Sequence, residues 1–255
     1  MYNSNIMKSI KRVLGCLRKA DNDYHLINDG DRICVGLSGG KDSSVLLYCL
    51  YLYQKFSKKQ YDLMAIYCDL GFGNEGIDEI IEFFRDYDIP IYKQETDIAE
   101  ILKLHKTSDD RLDCSLCAKL RKGAIINMAK QYGCNKLAFA HHHDDAAETL
   151  FMNMIHGGKI ATFQPETYLE RMDIHLIRPL IYAFEKDIIK AREYLNIPVS
   201  KNLCGNDGVT ERQNMKELLG SIYHKYPQAR DNFELMLRND KQLALFKPDS
   251  QENEK

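Results

Sequence analysis

Two periodicities alternate along the chain. Ile6, Ile10, Val13, Leu14 and Leu17 recur at helical spacing and predict an amphipathic N-terminal helix. The run 32–37, RICVGL, is apolar almost throughout and predicts a buried strand, with a helix over 42–56 behind it. Strands are then predicted over 62–68, 89–95, 136–141 and 175–180, and helices over 76–87, 118–132, 145–155 and 185–195. From Thr210 onward the pattern is helical and polar, ending in 249–255, DSQENEK, which reads as disordered. Short strands alternating with longer helices predict an α/β fold, a parallel sheet covered by helices on both faces, with helical additions at the two ends. The implied organisation is an N-terminal helix over 1–28, an α/β domain over 29–200 and a C-terminal helical extension over 201–255. Ligands in such folds sit beyond the carboxyl ends of the strands. Three polar stretches fall there: SGGKDS after the first strand, Asp69 after the second and HHHDD after the fourth.

Composition narrows the class. The 255 residues are 44% hydrophobic and 28% charged, which suits one substantial globular domain. A net charge of −2 rules out a polycation but leaves room for a local basic face. Lysine and arginine gather in 8–20 and in KLRK at 119–122, and on charge alone each is an ordinary solvated helix face. MYNSNIMKS has no apolar core of a signal peptide, and the run VLLYCLYLY stops well short of the ~18 residues of a membrane span. Eight cysteines without a secretory signal point to a reducing cytoplasm.

The turn SGGKDS between a strand and a helix has the makings of an anion site. A helix start offers free N–H groups and the positive end of its dipole. Gly39 and Gly40 let the backbone curl, Ser38, Ser43 and Ser44 can donate hydroxyl hydrogen bonds, and Lys41 carries charge. A Walker A loop would need glycine at Val35 and Ser or Thr at Asp42, so that motif is absent.

Cys114 and Cys117, in DCSLCAKLRKG, stand three apart at a predicted helix start, where both sulfurs can face one point. The nearby Lys119, Arg121 and Lys122, with the helix dipole, are expected to favour thiolates. A CxxC pair by itself fits zinc, redox chemistry or iron–sulfur ligation. Cys34, Cys49 and Cys68 lie in apolar runs and are expected in the core, whereas Cys204, in KNLCGND, sits in a loop. In AHHHDDAAETL, Asp144 and Asp145 open a helix, where one is expected to cap it and one to face the glycine turn.

SGGKDS resembles the SGGxDS signature of the PP-loop ATP pyrophosphatases, Rossmann-like proteins that cleave ATP between its α- and β-phosphates and adenylate a carbonyl oxygen. With CSLCAKLR, HHHDD, IRPL and NLCG following in order, the chain resembles the tRNA 2-thiocytidine synthetase family from about residue 32 to 238. The resemblance implies ATP on Ser38, Gly39, Gly40, Lys41, Asp42, Ser43 and Ser44, with His141 beside it and Mg2+ offsetting phosphate charge. It also implies a [4Fe–4S] cluster on Cys114, Cys117 and Cys204, one iron being left open for sulfide. Asp144 and Asp145 would stand near the α-phosphate or the target base, one of them holding magnesium or taking a proton, and Lys41 would stabilise developing charge. Ala140 replaces the family's usual glycine and Lys201 replaces a cysteine before the NLCG motif, which removes a spare thiol. Cysteine pairs of the zinc-ribbon kind found in uridine-thiolating relatives are absent.

The expected function is therefore a cytoplasmic, ATP- and iron–sulfur-dependent tRNA sulfurtransferase making 2-thiocytidine, at position 32. Its partners would be the tRNA anticodon loop, bound through the basic N-terminal helix and 119–122, and a cysteine desulfurase as sulfur source. No membrane contact is implied, and a homodimer is compatible with the sequence. The competing readings are thiolation of another nucleotide, an adenylating amide or lysidine synthetase, and a non-enzymatic ATP-binding module with structural zinc. The last two leave the cysteine triad or the HHHDD turn without a task.

Overall fold

The computed structural model describes residues 4–107, 110–204, 211–239 and 241. The stretch 249–255 and Gly205, next to Cys204, lie outside the described residues. The elements run α1 (Ser4–Tyr24), β1 (Arg32–Leu37), α2 (Lys41–Phe56), β2 (Asp62–Asp69), β3 (Asn74–Glu75), α3 (Ile77–Arg85), β4 (Ile91–Glu95), α4 (Ile98–Leu104) and α5 (Cys114–Gln131). Then come β5 (Lys136–Ala138), α6 (His143–Gly157), β6 (Glu166–Leu169), β7 (Ile174–Ile177), α7 (Glu185–Leu195), β8 (Lys201–Asn202), α8 (Glu211–Lys225) and α9 (Ala229–Arg238).

Six strands form one sheet in the order β4-β2-β1-β5-β7-β6. All neighbours are parallel except β6, which returns antiparallel on β7 at the edge, Glu166 opposite Ile177. That edge strand is four half-exposed residues, ETYL, too short to leave a periodic signal. The chain runs outward from β1 to β2 on one side and resumes beside it at β5, so the crevice where the order reverses opens between the ends of β1 and β5.

Side chains of β1 alternate between two cores, as the period of a strand requires. Ile33, Val35 and Leu37 pack with Val13 and Leu17 of α1, Leu46, Leu47 and Leu50 of α2, and Ile188 of α7. Cys34 packs on the other face with Met64, Ile66, Leu102 of α4 and Ile125 and Ile126 of α5. Leu46, Leu47 and Leu50 are fully buried, each contributing about 1.5–3 kcal/mol of apolar transfer. Cys34, Cys49 and Cys68 are core residues, as their apolar settings require. On α1, Ile10, Val13 and Leu17 are buried while Lys8, Lys11, Arg12, Arg18 and Lys19 are exposed, so its outer face is basic.

The C-terminal helices close over α6. Phe151 of α6 meets Phe233 of α9 at 5.3 Å between ring centroids, and Met215 and Leu219 of α8 are buried. The two-residue strands β3 and β8 pair antiparallel, Asn74 with Asn202. This pairing lays the segment before Cys204 across the glycine turn.

Candidate active site

The turn after β1 is held by its own hydroxyls. Ser43 Oγ accepts from the Ser38 amide at 3.1 Å and lies 3.0 Å from Ser38 Oγ, which accepts from the Gly40 amide at 3.2 Å. Ser44 Oγ donates back to the Gly40 carbonyl and serves the helix rather than the site. Gly39 adopts φ +82°, and a Cβ there would lie 2.7 Å from Ser200 Cβ. The Ser200 amide donates to the Gly39 carbonyl at 2.8 Å, so only glycine lets the 199–204 segment come this close. No side chain caps α2, which leaves its first amides to an anion.

Beside this turn a cavity of about 330 Å3 opens at the ends of β1 and β5. Ser38, Asp42 and Ser43 line one side, His141 and Asp145 another, and Arg121, Lys122 and Arg178 bring positive charge. Asp42 Oδ1 is buried and has no hydrogen-bond partner among the described residues. Asp42 and Asp145 both line the cavity and offer hard, anionic oxygens of the kind that can hold Mg2+ alongside phosphate oxygens. A roomier, more open groove of about 590 Å3, between Asp29 and Asp62 at the other end of the sheet, carries none of these motifs.

The HHHDD turn splits by direction. His141 faces the cavity, and burial holds its imidazole down at about 4, with Arg178 lowering it further and Asp145 opposing. His142 caps α6, accepting the Asp145 amide at 3.4 Å, while Asp145 accepts the His142 amide at 2.9 Å. His143 is buried on the far side, its ring centroid 4.8 Å from that of Phe184. The two aspartates separate as well. Asp145 lines the cavity, its Oδ1 2.8 Å from Arg212 Nη1. Asp144 turns away from the cavity, accepting the Glu185 amide at 2.8 Å and Arg230 Nη1 at 2.5 Å.

Lys41 does not line the cavity. Its ammonium sits 3.1 Å from Asp42 and 3.0 Å from Glu185. Burial would lower its pKa, but these carboxylates outweigh that and raise it. Glu185, against the same burial, is held at about 2 by Lys216 and Lys41. Ser38, Asp42, Ser43 and His141 thus line the cavity, whereas Gly39, Gly40, Lys41 and Ser44 shape the turn beside it. Asp69 receives the Gly71 amide, Asn74 and Lys93, and it organises its own loop.

Cys114 and Cys117 open α5 under the Asp113 cap, which accepts the Ser115 and Leu116 amides. Burial raises the Cys117 thiol pKa; Cys204 and Cys114 raise it further and Arg121 opposes. Cys114 and Cys204 thus each lie within electrostatic reach of Cys117, Cys204 coming from the loop after β8. The thiolate character expected of Cys117 from its basic neighbours is overturned, because Arg121 alone is set against burial and two sulfurs. Among the described residues, no three His, Cys, Asp or Glu side chains are drawn up into a finished metal cage. Cysteine donors of this kind fit an iron–sulfur cluster, whereas a structural zinc site calls for four closed ligands.

The comparisons with known proteins show the family and the fold. The family model for the PP-loop domain matches residues 7–198. The tRNA-cytidine(32) 2-sulfurtransferase of Aliivibrio fischeri (strain MJ11) is 36% identical over 228 residues, covering 89% of this chain and 73% of the relative. That of Geotalea uraniireducens (strain Rf4) is 36% identical over 230 residues, covering 89% and 91%. The chain belongs to the tRNA-cytidine(32) 2-sulfurtransferase family. A solved relative in fold is the U34-tRNA thiolase NcsA from Methanococcus maripaludis with its [4Fe-4S] cluster, TM-score 0.74 and 24% identical, covering 94% of this chain and 84% of that one.

Within this family member, the site contains side chains to which sequence reasoning gave no role beside the phosphate-binding turn. Arg178 is 8% exposed, donates from Nη1 to the Gln164 carbonyl at 2.5 Å, and leaves Nε without a partner. Its signal was a lone charge inside the apolar run HLIRPL. Lys122 faces the cavity with its pKa lowered by burial and by Arg178. Arg212 of α8 spans Asp145 and, at 3.5 Å, Glu148, whose carboxyl is raised to about 7 by burial and by Asp145. Nothing local in the sequence links Arg212 to the site. Among the described residues, no helix is long and apolar enough to cross a membrane.

Proposed function

We propose that the protein is a cytoplasmic, ATP-dependent tRNA sulfurtransferase that makes 2-thiocytidine at position 32 of the anticodon loop. The observation that supports this reading is the meeting of Ser38, Asp42, Ser43, His141 and Asp145 in one cavity of a family member, with α5, which opens at Cys114 and Cys117, bringing Arg121 and Lys122 to the same cavity. ATP would lie with its phosphates on Ser38, Ser43 and the first amides of α2, and Asp42 and Asp145 would hold Mg2+ against them. Cytidine O2 attacks the α-phosphate and pyrophosphate leaves; Arg121, Lys122, Arg178 and the helix dipole stabilise the charge that builds up. The neutral imidazole of His141 can donate one hydrogen bond and accept another without adding charge. Sulfide then replaces the adenylated oxygen at C2, with AMP as the leaving group. A [4Fe–4S] cluster held by Cys114, Cys117 and Cys204 would supply that sulfur, replenished by a cysteine desulfurase whose persulfide sulfur is reduced to sulfide by a two-electron thiol reductant. The 29–200 core would carry the chemistry, while the basic N-terminal helix within 1–28 and the 119–122 cluster would meet the tRNA, with 201–255 as a helical extension, in a monomer or a homodimer.

Nucleoside mass spectrometry of tRNA from a strain lacking the protein tests this reading. The expected result is loss of 2-thiocytidine, restored by the native gene but not by Cys204→Ala, whose purified protein also loses iron and its visible absorption. Unchanged 2-thiocytidine with loss of another thionucleoside would move the target. No change in any thionucleoside would overturn tRNA thiolation and bring the amide or lysidine readings forward.

A further inference from the structure

Behind the ATP cavity lies a second one, of about 370 Å3, that the proposed chemistry leaves unused. Its walls are the rings of Tyr24, Phe163 and Tyr182, with Ala146 of α6 as a floor and Arg238 beside them. His143 reaches into it from the HHHDD turn. This side chain is 2% exposed, and neither ring nitrogen has a hydrogen-bond partner among the described residues. An imidazole in its neutral form offers one donor and one acceptor. A buried imidazole with both nitrogens unmet is unfavourable unless a ligand completes it.

The complement of aromatic walls and a single donor–acceptor edge is a flat ring with its own donors and acceptors. Charges of both signs surround Tyr182: Lys19 Nζ lies 4.8 Å and the Arg238 guanidinium 5.3 Å from its ring centroid, while Glu234, which lines the cavity, pairs with Arg238 at 2.9 Å and Asp23 accepts from the Tyr182 hydroxyl at 3.0 Å. Lys19 belongs to the exposed basic face of α1, which suits a phosphate backbone running past the opening. Phe163 divides the two cavities, 5.0 Å from the His141 ring on the ATP side and 5.1 Å from the Arg178 guanidinium. We infer that this second cavity takes an unstacked nucleobase, stacked on its aromatic walls and hydrogen-bonded by His143. The basic face of α1 favours a base presented by an RNA loop, a different nucleotide of the tRNA whose cytidine reacts next door. The ligand class rests on the cavity; its source rests on the tRNA reading above.

Anisotropy titrations of an anticodon stem-loop RNA at low salt test the inference, with each loop nucleotide in turn made abasic. Native protein is expected to lose about tenfold in affinity at one loop position other than 32. His143→Phe is expected to bind the intact RNA about tenfold more weakly, to lose nothing further at that position, and to bind ATP as the native protein does. Ala146→Leu, which fills the cavity from a stable helix, is expected to reproduce the defect. In parallel, free cytidine, uridine, adenosine and guanosine are titrated while the His143 imidazole resonances are followed by NMR. Shifts with a free nucleoside and no loop-position effect keep the base site and assign it to free nucleosides. If native protein binds no stem-loop but nucleosides still shift His143, the tRNA reading falls and the base site stands. If folded His143→Phe and Ala146→Leu bind every RNA as native protein does, and no nucleoside reaches His143, the inference is overturned.

Discussion

Asp144 and Asp145 are neighbours in sequence with opposite orientations, and replacing each by asparagine separates their roles. Asp144 accepts the first amide of α7 and the Arg230 guanidinium, with its side chain 13% exposed. Asparagine keeps an acceptor for the Glu185 amide but leaves Arg230 without its counter-charge. A hydrogen bond to a charged, mostly buried group is worth about 1.5–3 kcal/mol, so Asp144→Asn should lose about 1–3 kcal/mol of stability. Its activity per folded molecule should remain near native. Asp145→Asn keeps an oxygen for the His142 amide, and its partner Arg212 is 43% exposed, so the stability loss should stay within about 1 kcal/mol. Removing its charge from the cavity should cost about 100-fold or more in turnover, the scale of losing a charge-stabilising or proton-accepting group. Urea unfolding gives the first quantity. Release of pyrophosphate from ATP in the presence of tRNA, under single-turnover conditions, gives the second. Should Asp144→Asn abolish turnover without losing stability while Asp145→Asn stays active, the assignment drawn from the cavity lining is wrong.

Gly39→Ala should destabilise the fold by about 2–4 kcal/mol, combining a left-handed residue with overpacking against Ser200, and should abolish ATP binding by calorimetry; a native-like melting curve would refute the close approach. Glu185 has its pKa depressed to about 2, so its contribution to stability is present above the ordinary carboxylate pKa and is lost as pH falls through that value towards 2. Glu185→Gln should accordingly flatten the acid limb of the stability–pH curve below about 4.5, and an unchanged limb would show that Lys41 and Lys216 do not hold the carboxylate. Binding of tRNA should weaken as salt rises, and Lys11→Ala with Arg18→Ala should reduce the slope of log K against log salt by about 2. A salt-independent affinity would remove the basic face of α1 from the interface.

Much of this architecture was legible in the chain because it is encoded locally. The apolar run of β1, the period of α1 and the two glycines before Lys41 each depend on residues a few positions apart, and the structure places those elements where their patterns do. The antiparallel edge strand β6 and the pair β3–β8 were not legible. Four half-exposed residues and two pairs of residues carry no periodicity, and their pairing is decided by what lies beside them. The site divides in the same way. Sequence alone determined which residue types are available: the SGGKDS turn, three histidines, two aspartates and the cysteine triad. Only packing decided their directions. One side of the strand end sends His141 to the ATP cavity and the other sends His143 to a second cavity, while α7 and α9 pull Asp144 away and α8 holds Asp145 in place. Arg178 and Arg212 enter the site for the same reason. A side chain's local pattern fixes the element that carries it, but where it ends up depends on contacts between segments far apart in the chain, which no local pattern encodes.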